Sequence, residues 1–90
     1  MTYTKDPQAV LDYMIDWSSW LTAAGDDTIT ASSWTATDGI TIDSDTNTTT
    51  TATVWLSGGT VGTTYELTNH IVTLAGREDD RTIKIKCKQL

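Results

Sequence analysis

The sequence predicts an all-β fold, a small β-sandwich of six to seven strands with an N-terminal arm. With 90 residues, the chain can bury one modest core and form one domain. It contains twenty threonines, crowded into residues 22–53 and 60–73, and β-branched residues suit a pleated sheet better than a helix. Short alternating runs of apolar and polar residues recur about every 8–12 residues, which is typical of a sandwich.

The N-terminal part contains the one ambiguous segment. Residues 1–7 are predicted to form the arm, because Pro7 closes it and disfavours a helical Asp6; residues 8–90 are then a single β-sandwich domain. Residues 10–21 fit a helical stripe as well as an alternating strand, and periodicity leaves both open. We favour a strand over residues 10–17 followed by a single turn at residues 18–21, because the rest of the chain is β.

The middle of the chain is predicted to form two strands separated by a turn at residues 37–39. The first covers residues 28–34, with Ile29 and Ala31 on one face and Trp34 on the other. The second is short, covers residues 40–42, and ends in a polar loop at residues 43–47.

The second half is predicted to hold three strands with clear alternation. They cover residues 49–56, 63–74 and 81–88, separated by a glycine-rich connection at 57–62 and a hairpin turn at 75–80. In the last strand Ile83, Ile85 and Cys87 should face inward and the lysines outward. Tyr65, at the head of the penultimate strand, suits the tyrosine corner of an immunoglobulin-type sandwich.

The charge is unevenly distributed. Residues 1–76 carry a net charge of −8 and residues 77–90 a net charge of +2. An isoelectric point near 4.3 argues against nucleic-acid binding, because Lys and Arg supply most of the affinity for phosphate. The basic C-terminal strand is either a solvated face or a contact for an acidic surface, such as another copy of the chain. The longest apolar runs contain two or three residues, so we predict neither a membrane span nor a signal peptide.

Two motifs that suggest ligand chemistry each fail a check. Residues 43–47 resemble the start of an EF-hand loop, but Thr48 stands in place of its Gly and Val54 in place of its Glu. We expect a solvated turn there, with a looser calcium site shared with Asp26 and Asp27 as the alternative. The glycines at 58, 59 and 62 lack the lysine and helix of a phosphate loop, so they are predicted to form a turn.

The remaining candidates are single side chains. His70 has no nucleophile elbow nearby in the sequence, and Cys87 continues an inward alternation, so both are predicted to be packing residues. We therefore expect no catalytic, cofactor-binding or metal-ligating residue and no cofactor. The four tryptophans exceed what so small a core needs, and an exposed one, with Trp55 the candidate, would serve a protein interface or a carbohydrate platform.

The sequence resembles a group of short bacteriophage virion proteins with an immunoglobulin-like β-sandwich. The similarity runs nearly from end to end, and its most specific pieces are the Trp-Leu-Ser-Gly-Gly-Thr run at residues 55–60 and the Gly-Arg-(x)₂-Asp-Arg hairpin at residues 76–81. Further matching residues lie at 4–13, 15–17, 20–21, 25–29, 54, 61–63, 65, 70–73 and 82–83.

This resemblance implies a non-enzymatic structural protein of the virion, either a fibre–tail adaptor or a capsid decoration protein. It implies tail, fibre or capsid subunits as partners, together with copies of the same chain, and neither nucleic acid nor membrane. The protein would be assembled in the bacterial host cytoplasm and reside in the virion. We expect docking through the arm and the edge strands. The alternative is a carbohydrate- or cell-surface-binding module that uses exposed Trp.

Overall fold

Two β-sheets, built from seven strands, make up most of the chain in a computed structural model that describes residues 2–89. The elements within these residues are β1 (Thr2–Lys5), β2 (Leu11–Asp16), α1 (Ser18–Ala23), β3 (Ile29–Ala36), β4 (Ile40–Asn47), β5 (Thr51–Gly58), β6 (Thr64–Thr73) and β7 (Glu78–Cys87). The prediction of an all-β fold with six to seven strands is confirmed.

The strands form a four-stranded sheet A and a three-stranded sheet B. Sheet A has the order β1-β7-β6-β3, and sheet B has the order β2-β5-β4. Every pair of neighbours is antiparallel except β1 and β7, which run parallel. The inward-facing side chains of both sheets pack together as one core, as in a sandwich.

The period-two pattern of the sequence accounts for the inward faces. In β5 the buried residues are Ala52, Val54 and Leu56, and in β7 they are Ile83, Ile85 and Cys87. Lys84 and Lys86, between them, are exposed. These faces are as predicted, although β7 begins at Glu78 rather than at residue 81, which shortens the hairpin turn.

The ambiguous segment is a strand followed by a short helix, which confirms the strand prediction. α1 begins after Trp17, and the carboxylate of Asp16 accepts a hydrogen bond of 2.9 Å from the amide of Ser18. Trp17 and Leu21 are fully buried, and the ring of Trp20 meets that of Trp17 edge to face at 5.5 Å between centroids. The helix therefore closes one end of the core with aromatic side chains.

A β-bulge in β3 makes the predicted faces of this strand wrong. Its register against β6 shifts between Ile29 and Ala31. An extra residue reverses the alternation beyond it, so Trp34 joins Ile29 in the core and Ala31 is exposed.

The prediction of a polar loop at residues 43–47 is also wrong. These residues belong to β4, which continues to Asn47 after a second bulge between Ile42 and Ser44. β4 is an edge strand, and the side chains of residues 43–47 are exposed, so no apolar alternation marks the strand in the sequence. The chain turns at residues 48–50, where the hydroxyl of Thr48 accepts a hydrogen bond from the amide of Thr51.

Part of the expected N-terminal arm is an edge strand. Thr2–Lys5 pair with Lys84–Cys87 as β1, and the side chain of Lys5 is fully buried. Its ammonium group donates hydrogen bonds to the carbonyl of Asp6 at 2.9 Å and to that of Gly58 at 2.8 Å. Met1 lies outside the described residues, and the division into an arm (residues 1–7) and one domain (8–90) stays a prediction.

Candidate functional site

The connection between β5 and β6 is a structural turn. The φ of Gly59 is +100°, and a Cβ placed there would lie 2.3 Å from the Sγ atom of Cys87. The amide of Thr60 donates a hydrogen bond of 2.9 Å to the hydroxyl of Tyr65. The glycines therefore allow the chain to pass close to β7 and to Tyr65.

His70 lies on the outer face of sheet A between two carboxylates. Its Nδ1 atom contacts Asp80, and its Nε2 atom lies 2.9 Å from Glu78. The hydrogen bond to Asp80, and next that to Glu78, raise the pKa of His70. With a carboxylate at each ring nitrogen, the imidazole is favoured as a cation and has no nitrogen left to activate a serine.

The acidic residues that suggested calcium are not gathered into a site. Asp27 instead forms an ion pair of 2.9 Å with Arg77, and its carboxylate also accepts hydrogen bonds from the amides of Thr28 and Ala75. A hydrogen bond from Thr73 is the largest of the effects that lower the pKa of Asp27 to about 2. Among residues 2–89, no three His, Cys, Asp or Glu side chains lie close enough to hold a metal ion.

A cleft lies at the surface between the β1–β2 and β5–β6 connections. It is lined by Asp6, Pro7, Gln8, Val61 and Gln89. Asp6 is its one titratable side chain, so the cleft holds no pair of groups for general acid–base catalysis.

The four tryptophans divide between core and surface. Trp17 and Trp34 are buried, Trp20 is half-buried, and Trp55 is exposed over 40% of its area. The indole nitrogen of Trp34 is buried with no acceptor among the described residues. Trp55 is therefore the tryptophan that is free to meet a partner.

Trp55 lies at the centre of the outer face of sheet B. Its register partners are Asp12 on β2 and Ser44 on β4. Met14, the next outward residue after Asp12 on β2, is 51% exposed. Asp16 continues this face, and the bulge residue Asp43 reaches it through a hydrogen bond of 2.8 Å from the hydroxyl of Ser57. We call this surface the acidic face; its outward residues are Asp12, Met14, Asp16, Asp43, Ser44, Thr46, Thr51, Thr53, Trp55 and Ser57.

The C-terminal half of β7 carries the opposite charge on the outer face of sheet A. Lys84 and Lys86 alternate outward on this strand, and Lys88 follows directly after it. Their register neighbours on β1 are Thr2 and Thr4, and on β6 Lys84 lies opposite Glu66. We call the side chains of Lys84, Lys86 and Lys88 the lysine face.

The sheet edges differ in how open they are to a further strand. β3 and β4 carry bulges, which interrupt regular pairing. β1 is only four residues long and turns the charged Lys5 inward, two features that protect an edge strand. The burial of Lys5 was not predicted from the sequence, although Tyr3 and Lys5 stand at alternate positions before Pro7.

These observations define a class: a small two-sheet β-protein whose distinguishing groups lie on open sheet faces, as suits contact with other proteins. Within residues 2–89, helix α1 has six residues and is too short to span a membrane. The family model of the podophage GP4 fiber-tail adaptor protein gp77 matches residues 5–86, and the chain belongs to this family. The predicted resemblance to short phage virion proteins is thereby confirmed. No curated protein matches the chain.

Proposed function

We propose that the chain is a non-enzymatic virion protein that joins a tail fibre to the tail by docking on the proteins of both. The observation that carries this proposal is the family match over residues 5–86, because that family is described as a fiber-tail adaptor. The same description favours an adaptor over a capsid decoration protein. Assembly would take place in the bacterial host cytoplasm, without nucleic acid or membrane as a partner.

The distribution of exposed groups supports docking through sheet surfaces. The acidic face offers Trp55 and Met14 within a ring of polar and acidic side chains, and an apolar centre with a polar rim is the usual anatomy of a protein interface. The lysine face lies on the other sheet, so the chain offers contact surfaces on both sides of the sandwich. An adaptor requires two such surfaces, whether it joins two different partners or contacts copies of itself.

We also propose that the sandwich is of the immunoglobulin type. The order β2-β5-β4 in one sheet and β7-β6-β3 in the other matches the B-E-D and G-F-C pairing of that fold. The hydrogen bond between Thr60 and Tyr65 lies where a tyrosine corner would have it.

Gold labelling of intact particles with an antibody against the recombinant chain tests the adaptor function. We expect label at the tail end only. Label scattered over the head would contradict the adaptor function and indicate a capsid decoration protein. No label, with the protein also missing from denatured particles, would overturn the virion assignment altogether.

Docking through the N-terminal strand has its own test. Deletion of residues 1–4 removes most of β1 but keeps Lys5, whose hydrogen bonds fasten this end of the chain. Loss of the variant from particles would support docking through the edge that β1 forms. Unchanged incorporation would exclude it and leave the sheet faces as the docking surfaces.

A further inference from the structure

The basic side chains of the protein fall into two groups, those that make contacts within the fold and those that are exposed without an ion pair. Lys5 donates to two carbonyls, Arg77 pairs with Asp27, and the guanidinium of Arg81 stacks 4.2 Å above the ring of Trp17. The other three basic residues are exposed and form no ion pair within residues 2–89: Lys84, Lys86 and Lys88. Every base that the fold does not use therefore belongs to the lysine face.

The acidic face has the complementary composition. Its outward residues include three aspartates and no basic side chain. Asp12 stands in register with Trp55, and Asp43 bonds to Ser57, the next outward residue on β5. Among the aromatic rings, indole attracts an ammonium ion most strongly. The alkyl stem of a lysine would cover Met14 and Trp55 while its charge reaches a carboxylate.

We propose that the lysine face of one copy docks on the acidic face of a second copy of this chain. This inference deepens the proposed function, on which it rests for its place in the virion: it names copies of the chain as one partner. Charge complementarity of this kind selects the partner and speeds encounter. It also gives a role to the row of three lysines at the end of β7 in so acidic a chain.

The geometry makes this contact directional. The two faces lie on the outer surfaces of different sheets, so a copy that uses its lysine face leaves its acidic face open for the next copy. Such a heterologous contact repeats and gives a ring where the rotation closes, or a chain where it does not. A two-fold dimer would instead require the same patch on both copies.

Sedimentation equilibrium of the full chain tests the proposal. We expect the average mass to rise above that of a monomer as protein concentration increases from about 0.01 to 1 mM in about 0.05 M NaCl, and to return to the monomer in about 0.5 M NaCl, because salt screens exposed charges. A wild-type chain that stays monomeric throughout would overturn the proposal.

Two charge-reversal variants identify the faces. K86E/K88E changes the lysine face without touching Lys84, which lies opposite Glu66, and D12K/D43K changes the acidic face. Each alone should lose association by about tenfold or more, and an equimolar mixture should regain it, because one variant keeps the original acidic face and the other the original lysine face. Regained association also shows that both variants are folded.

D38K/D45K is the matched control. It makes the same change in net charge as D12K/D43K, but Asp38 lies in a turn, and Asp45 stands in register with the inward-facing Val54. It should associate as the wild type does. Wild-type association in the two face variants would show that other surfaces mediate the contact and would overturn the proposal.

The outcome separates this inference from the adaptor function. Particles that carry the label at the tail end while the purified chain stays monomeric would leave the adaptor intact and remove self-association. Salt-sensitive association with no label on particles would support self-association and remove the adaptor function.

Discussion

The indole nitrogen of Trp17 donates a hydrogen bond of 2.9 Å to Oδ1 of Asn69, and both side chains are fully buried. Trp17 follows β2 of sheet B, and Asn69 lies on β6 of sheet A, so this bond joins the two sheets through the core. The amide nitrogen of Asn69 donates to the hydroxyl of Ser32 and to the carbonyl of Ser33. A buried polar group in the core is thus satisfied at each of its atoms.

Trp17→Phe should destabilise the fold more than Trp34→Phe. The first substitution leaves the buried oxygen of Asn69 without a donor, which costs about 1–3 kcal/mol in addition to the lost packing. The second removes a buried donor that has no acceptor among the described residues, so its cost is packing alone. Urea unfolding of both variants measures the difference, and equal losses of stability would contradict the role assigned to Asn69.

Gly59→Ala should cost about 1–3 kcal/mol more than Gly62→Ala. Both glycines have a positive φ, but an added Cβ at Gly62 meets nothing within 4 Å, whereas at Gly59 it meets the sulfur of Cys87. Thermal or urea unfolding provides the comparison. In a Cys87→Ala background, part of the Gly59→Ala penalty should disappear; a penalty that stays the same would mean that backbone strain, not the sulfur, causes it.

Acid should weaken the fold through Asp27. Its pKa is lowered from 3.8 to about 2, so its carboxylate stabilises the folded state above pH 3.8, and this contribution is lost as the pH falls towards 2. Asp27→Asn should therefore flatten the dependence of the unfolding free energy on pH over this window. An unchanged slope in Asp27→Asn would contradict this role of the carboxylate.

The imidazole of His70 should titrate above its ordinary pKa of 6.5. Because the pKa is raised in the fold, its contribution to stability is present below the ordinary pKa and is lost as the pH rises through the folded value. NMR titration of the ring protons measures this pKa. Asp80→Asn should lower it more than Glu78→Gln, since the hydrogen bond to Asp80 is the larger cause; the opposite order would contradict this assignment.

Trp55→Ala should separate a docking surface from a sugar-binding one. Trp55 is exposed, so the loss of stability should stay below about 1 kcal/mol. We expect fewer copies of the variant on purified particles than of the wild type and no glycan bound by either on a glycan array. Glycan binding by the wild type that disappears in the variant would support the carbohydrate-binding alternative instead.

The sequence predicts this fold best where a strand lies between two neighbours. β5 and β7 alternate because one face meets the core and the other meets water, and both inward faces are predicted correctly. β4 fails the same test, since an edge strand with exposed side chains has no apolar face to display. The faces of β3 are predicted wrongly for a different reason: one inserted residue changes the phase of the alternation without changing the composition.

The candidate surfaces were predictable only in part. The row Lys84, Lys86 and Lys88 is visible in the sequence because its members alternate within one short stretch of the chain. The acidic face is not, because Asp12, Asp43 and Trp55 come from three strands that are far apart along the chain. Only the pairing of β2, β5 and β4 brings them together, and that pairing depends on contacts across the whole core.

The parallel pairing of β1 with β7 has a mechanical consequence. A force that draws residue 2 away from residue 87 acts along both strands in opposite directions, so the hydrogen bonds between them are loaded together in shear and do not open one after another. Lys5 adds a cross-link from β1 to the carbonyl of Gly58, at the end of the opposite sheet. Under the proposed function, a load applied between these two ends would therefore be resisted along the full length of the strand pair.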